Sequence, residues 1–122
     1  MWDGVGIVRE GPKLRAALEE FGRLKQVARD EVSVFSPAKC YNYDWVEALE
    51  VIQMVDVAEM MAAAALARTE SRGAHYRTDH PAIDNESWLR ETVVHDEGGR
   101  LRVATQPVHL TELSPMDVEV SH

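Results

Sequence analysis

Cysteine is nearly absent from this sequence: Cys40 stands alone among 122 residues. A single thiol closes no intrachain disulfide and cannot anchor a zinc site built on several thiolates, so packing and polar contacts must hold the chain, as suits a reducing compartment. Long apolar runs are lacking as well. The longest candidate is broken by Gln53, Asp56 and Glu59, short of the roughly 20 apolar residues a spanning helix needs. Basic residues are in deficit, 13 Lys and Arg against 21 Asp and Glu for a net charge of −8, which argues against a surface made for nucleic acid. The opening MWDGVGIVREG has no basic region, apolar core or cleavage site of a secretory signal. On these grounds the chain reads as cytoplasmic, and no internal repeat or low-complexity tract complicates it.

What is present suits a soluble domain: 45% apolar and 28% charged residues, at a size that buries roughly two-thirds of its unfolded surface. Trp2, Val5, Ile7 and Val8 suggest a short apolar helical piece weakened by Gly4 and Gly6, marginal alone and best read as the end of a longer helix. Pro12 opens a helix expected to run to about Val32, with Leu14, Leu18, Phe21, Leu24 and Ala28 as its apolar stripe and Lys13, Glu19, Arg23 and Lys25 outside. Ser36-Pro37 marks a connection. A longer helix is expected from Tyr43 or Asp44 to about Thr69, capped by Asn42 or Asp44. Its polar positions 44, 47, 50, 53, 56 and 59 recur every third residue, so each step falls about 60° short of a full turn and no face stays wet. That pattern suits a helix covered by different neighbours along its length. Ala62 to Ala65 and Ala67 would let another backbone approach, or simply favour helix.

Past the long helix comes a concentrated polar stretch: Arg68, Glu70, Ser71, Arg72, Gly73, His75, Arg77 and Asp79. Metal binding by His75, Asp79, His80 and Asp84 would need a ligand spacing that matches no strong zinc or calcium signature. Acid–base chemistry at His75 or Glu70 is open, but nothing in the sequence supplies a pocket. The structural reading is stronger: the arginine forks suit carboxylates and carbonyls at the helix end, and Gly73 suits a left-handed stop. Three arginines in a turn and a half point further, to a network facing another domain or subunit. Asp84 to Trp88 fits a turn or a short capped helix. Thr92 to His95 and Leu101 to Thr105 around Asp96-Glu97-Gly98-Gly99 form a hairpin signal, and Pro107 and Pro115 leave an extended tail.

RTESRGAHYR, followed by Asp79, Pro81, Asp84, Glu86, Trp88 and Leu89, closely resembles the C-terminal motif of succinate dehydrogenase and fumarate reductase flavoprotein subunits. The resemblance extends over MWDGVGIVREG, LEEFGRLK, the long helix YNYDWVEALEVIQMVDVAEMMAAAALART, and the closing GGRLRV and QPVHLT. Ile83, Asn85 and Ser87 depart from it, standing where the family more usually has Arg, Asp and Asn. L-aspartate oxidases share a similar ESRG motif but commonly end soon after it, so the hairpin favours the dehydrogenase and reductase branch.

The resemblance implies a mainly α fold, a three-helix up-and-down, spectrin-repeat-like bundle over residues 1–90, with a β-hairpin and C-terminal tail over 91–122 packed on it. It implies no catalytic residue, cofactor or metal in this chain: the FAD-binding fingerprint, flavin-carrying histidine, capping domain and proton-donor arginine of the family all lie upstream. FAD belongs to the parent enzyme, which interconverts succinate and fumarate. Arg68, Glu70, Ser71, Arg72, Gly73, His75, Arg77 and Asp79 are then an interdomain structural network. The partners implied are the upstream FAD and capping domains, an iron–sulfur subunit and a membrane anchor at the inner face of the cytoplasmic membrane, with self-association through exposed apolar surface a further expectation. Met1 would be an internal methionine of that parent. The competing expectations are an L-aspartate oxidase C-terminal domain and a free-standing acidic helical module that binds a protein partner.

Overall fold

The computed structural model describes residues 1–31 and 42–111. Cys40, the Ser36-Pro37 connection and Pro115 lie outside them. The fold is mainly helical with a small antiparallel sheet after the helices, in the order α1 (Trp2–Val5), β1 (Val8–Arg9), α2 (Gly11–Glu31), α3 (Tyr43–Ala67), β2 (Tyr76–Arg77), α4 (Asn85–Trp88), β3 (Arg90–Asp96) and β4 (Leu101–Pro107). Two of the helices are long and two are single turns.

Helix α2 buries the stripe its spacing implies: Leu14, Phe21 and Ala28 are buried, and Leu18 and Leu24 pack beside them. Their partners on α3 are Ala62 and Ala65, both buried, so small side chains on one helix admit large ones from the other. At the alanine-rich end Ala62 and Ala65 are therefore core, and the backbone they admit is this chain's own α2, while Ala67 stays exposed. The single turn α1 completes it with buried Val5. Here Gly4 has a specific use, since a Cβ at that position would lie 3.0 Å from the Ala17 Cβ. The turn stops where the Gly6 backbone turns extended.

The two long helices run antiparallel, as their contacts show: Lys25, late in α2, meets Asp56 and Glu59 of α3, while the start of α2 lies at the end of α3. Lys25 thus points inward, not to solvent as its place opposite the stripe implied. The drift of polar positions around α3 carries residues 56 and 59 onto the α2 side, where the ammonium, at 2.8 Å from each, answers them. The Glu59 contact is a hydrogen bond; the Asp56 contact is off-axis, leaving Oδ1 without an aligned donor. Asp56 first and Glu59 second raise the Lys25 pKa.

Strands β3 and β4 pair from Arg90↔Pro107 to Asp96↔Leu101. Gly98 and Gly99, with φ of 67° and 88°, make the mirror-image turn that suits the strand twist, and Asp96 Oδ1 accepts the Gly99 N–H at 2.7 Å.

Candidate functional site

The polar stretch after α3 folds back on the helix end. Gly73 has φ 56°, but it does not stop the helix: α3 ends at Ala67, and the extended Arg68 takes the cap position. Gly73 instead sits inside a tight turn in which Arg72 and His75 exchange backbone hydrogen bonds of 2.8 and 3.0 Å. The turn brings Tyr76 and Arg77 alongside Val8 and Arg9 as a short parallel pair. The Tyr76 N–H donates to the Ile7 carbonyl and the Thr78 N–H to the Arg9 carbonyl. Ser71, buried in this loop, accepts the Arg77 N–H at 2.8 Å and donates to the His80 carbonyl at 2.7 Å.

Glu70 is fully buried. Its Oε1 accepts from Arg68 Nε and Nη2 and from Arg72 Nε, and its Oε2 from Arg72 Nη2 and the Asp84 N–H, the last two at 3.0 Å. Burial pushes the carboxyl up, but the Arg72 hydrogen bond, the Asp84 N–H and Arg68 together outweigh it and hold the pKa below its ordinary value. Arg68 spends its remaining donors on the Trp88 and Arg90 carbonyls and the Thr92 hydroxyl. Its guanidinium also lies 5.3 Å from the Trp88 ring centre, within cation–π range. Arg72 reaches Asn85 Oδ1 at 2.8 Å. One buried carboxylate therefore gathers the helix end, α4 and the root of the hairpin.

Arg77 is 2% exposed. Its Nη1 lies 3.0, 3.2 and 3.1 Å from the Ala65, Leu66 and Arg68 carbonyls, oxygens that no helical N–H satisfies. Its other edge grips Asp79 through two 2.7 Å bonds. Asp79 accepts the Gly11 N–H at 3.1 Å, at the start of α2. Arg77 first, then the Gly11 N–H, hold the Asp79 carboxyl well below the usual carboxylate range. Gly11 is required by closeness, since a Cβ there would sit 2.8 Å from Asp79 Oδ2.

His75 faces Arg9, whose Nη1 lies 2.6 Å from Nδ1; Nε2 makes a long 3.4 Å contact to the Arg68 carbonyl. Arg is always a donor, so Nδ1 accepts and the proton sits on Nε2. Burial, with Arg9, Arg77 and Arg68 nearby, lowers the imidazole pKa despite the Arg68 carbonyl.

Every candidate residue thus lies in one connected assembly, with His80 at 3.9 Å from Asp79 on its edge. His75 Nδ1 is directed at a cation, Asp79 is committed to Arg77, and among the described residues no cluster of His, Cys, Asp and Glu forms a metal set. Sequence reasoning missed Arg9, Gly11 and Asn85. Arg9 meets its partner 66 residues away, which no local spacing signals; Gly11 before Pro12 at a helix start was the one available clue.

Comparison with known proteins bears on the whole chain. A family profile described as "Fumarate reductase flavoprotein C-term" matches residues 1–120. The chain is 40% identical over 111 residues to a fumarate reductase flavoprotein subunit of Mycobacterium tuberculosis, covering 90% of the chain and 19% of that protein. To a succinate dehydrogenase flavoprotein subunit of Coxiella burnetii it is 32% identical over 110 residues, covering 90% and 18%. Its fold matches an E. coli quinol fumarate reductase structure with TM-score 0.87 and 29% identity, over 94% of this chain and 20% of that one. The chain thus spans about a fifth of the length of the curated relatives it matches. Neither the L-aspartate oxidase nor the free-standing module is favoured by these matches. With a profile spanning nearly every residue and relatives of one kind, the chain belongs to the succinate dehydrogenase and fumarate reductase flavoprotein family, of which it is the C-terminal domain.

Proposed function

We propose that this domain braces the flavin and capping domains of an FAD-dependent subunit that interconverts succinate and fumarate, and that it presents surface to partner subunits of a membrane-associated complex. The observation that carries the reading is the surface of α3. Tyr43, Trp45, Val46, Leu49, Val51, Met54, Val57 and Met61 are all exposed, Met54 to 64% and Tyr43 to 79%. Their spacing distributes them around most of the helix, as a helix does whose several covering neighbours are absent. A cleft of about 600 Å³ lined by Met1, Phe21, Leu24, Met54, Val57 and Met61 continues that surface between the helices. At the N-terminus Met1, Trp2, Ile7 and Val8 are exposed too.

FAD, when bound in the parent, would supply two-electron acceptance. The residues described here do not fit the work of holding it. Arg68, Arg72 and Arg77 spend their donors on Glu70, Asp79 and carbonyls, and the positive-φ glycines lie in turns rather than at a helix start. The network's role is to fix the helix ends and the loop between them as one rigid face toward the neighbouring domains. No described helix is long and apolar enough to cross a membrane.

The test has two arms. The reading frame upstream of Met1 should continue into a flavoprotein, and a stop codon with a ribosome-binding site there would overturn the proposal. The 122-residue chain, incubated with FAD, succinate and an electron-accepting dye, should retain no flavin and reduce no dye. A yellow protein would refute the bracing role.

A further inference from the structure

We propose that His75 is an acid-released latch: its neutral Nδ1 lone pair holds the Arg9 guanidinium, and with it strand β1 against β2, and a proton arriving at Nδ1 lets that strand go. The geometry leaves little choice. Arg9 Nη1 is 2.6 Å from Nδ1, and a protonated imidazole would set two donors and two like charges face to face. No carboxylate is within ion-pair distance of Arg9 or His75 among the described residues. The charged groups facing the ring are Arg9 from β1, Arg77 from β2 and Arg68 from the end of α3, all cations; Arg77 and Arg68 are already paired with Asp79 and Glu70, so the charge added on protonation meets an Arg9 with no carboxylate of its own among the described residues. Arg9 is otherwise held by its Nε bond to the Gly6 carbonyl at 2.7 Å, within its own segment. Strand β1 itself is two residues long and is anchored to the loop by the Tyr76 and Thr78 amides. The apolar side chains around it, Ile7 and Val8, are exposed and add little hold.

The sign follows from which form the closed state prefers. Closure favours the neutral ring, whose pKa falls below the ordinary 6.5, so the latch is at full strength above about pH 6.5 and weakens as pH drops toward the closed-state value. Over that interval the closed-to-open ratio changes by up to about tenfold per pH unit.

Amide exchange of the 122-residue chain, expressed as protection relative to intrinsic rates, reads this directly. Protection at Tyr76 and Thr78 should fall by up to about tenfold per unit below pH 6.5, while Ser71, bonded to the Ala82 carbonyl, and the β3–β4 amides hold theirs. NMR titration of the His75 ring should give a pKa below 6.5, and Arg9→Gln should move it back up. His75→Asn, which offers a permanently neutral acceptor at the Nδ1 position, should make the Tyr76 and Thr78 protection independent of pH in this range. A ring titrating at or above 6.5, protection that is flat with pH, or protection lost equally in the hairpin would each overturn the latch.

Discussion

Replacing Glu70 by Gln changes one atom and should cost a large part of the stability of the domain. In the native site five N–H groups converge on the carboxylate, three on Oε1 and two on Oε2. A glutamine must turn its NH2 toward one set or the other, so at least two donors then meet donors instead of an acceptor. The substitution also strips the counter-charge from Arg68 and Arg72, whose side chains are only 15% and 33% exposed. Breaking a buried pair from one side costs about 3–5 kcal/mol, against a typical total of about 5–15 kcal/mol. Followed by far-UV circular dichroism in urea, with an m-value near 2 kcal/mol/M, the midpoint should drop by about 1.5–2.5 M. A loss under about 1 kcal/mol is what a solvent-screened surface pair shows, and would refute the claim that Glu70 organises the loop. The pH profile provides a second check. Because its folded pKa lies below 4.5, Glu70 stabilises the fold above that pH, and the contribution is lost as pH falls through the depressed value. The glutamine variant should lack that part of the acid sensitivity.

Arg77→Lys keeps the charge but not the fork, so one ammonium cannot both grip Asp79 at two points and reach the carbonyls of Ala65, Leu66 and Arg68; a loss of about 2–3 kcal/mol in the same urea assay is expected, and an unchanged midpoint would show that charge alone suffices. Two glycines of α2 should respond in opposite directions to alanine. Gly22→Ala meets nothing within 4 Å and should stabilise by about 0.5–1 kcal/mol, whereas Gly11→Ala, whose Cβ would press on Asp79 Oδ2 at 2.8 Å, should destabilise by about 1–2 kcal/mol. Thermal melts of the pair decide it, and a stabilising Gly11→Ala would mean the Asp79 contact is loose.

What was legible in the sequence was whatever repeats locally. The stripe of α2 and the Asp96-Glu97-Gly98-Gly99 turn announce themselves because helix and hairpin periods put their partners within a few residues. The span of α3 was close, its end at Ala67 falling two residues before Thr69. The site residues were visible as a concentration of charge, but their connections were not. Arg77 satisfies backbone carbonyls, which every residue has and no side-chain pattern marks. Gly73 looked like a helix stop because a glycine after a helical run usually is one; here the chain leaves the helix six residues earlier, since the Arg68 N–H and the Arg77 side chain take over carbonyls that a left-handed cap would have satisfied. The alanine-rich end showed that a backbone could approach but not which one, because whether small residues welcome an outside helix or this chain's own Leu14 and Phe21 depends on the fold.

The pairing of Arg77 with Asp79 also has a direction that residue types alone do not convey. Helix α3 ends and helix α2 begins at the same edge of the molecule, so the negative pole of one dipole lies beside the positive pole of the other. Arg77 sits on the carbonyls of the first and Asp79 on the N–H of the second, each charge at the pole that favours it, with the two bonded to one another between the poles. The same two residues in exchanged positions would conserve the salt bridge and place both charges at the wrong poles. That order explains why a loop must return to this edge at all: both helix ends need a partner there, and a strand beside Val8 and Arg9 delivers the pair to both at once. The rigidity proposed for the face toward the neighbouring domains rests on this arrangement, since neither long helix can shift along the other without breaking the bonds at its own end.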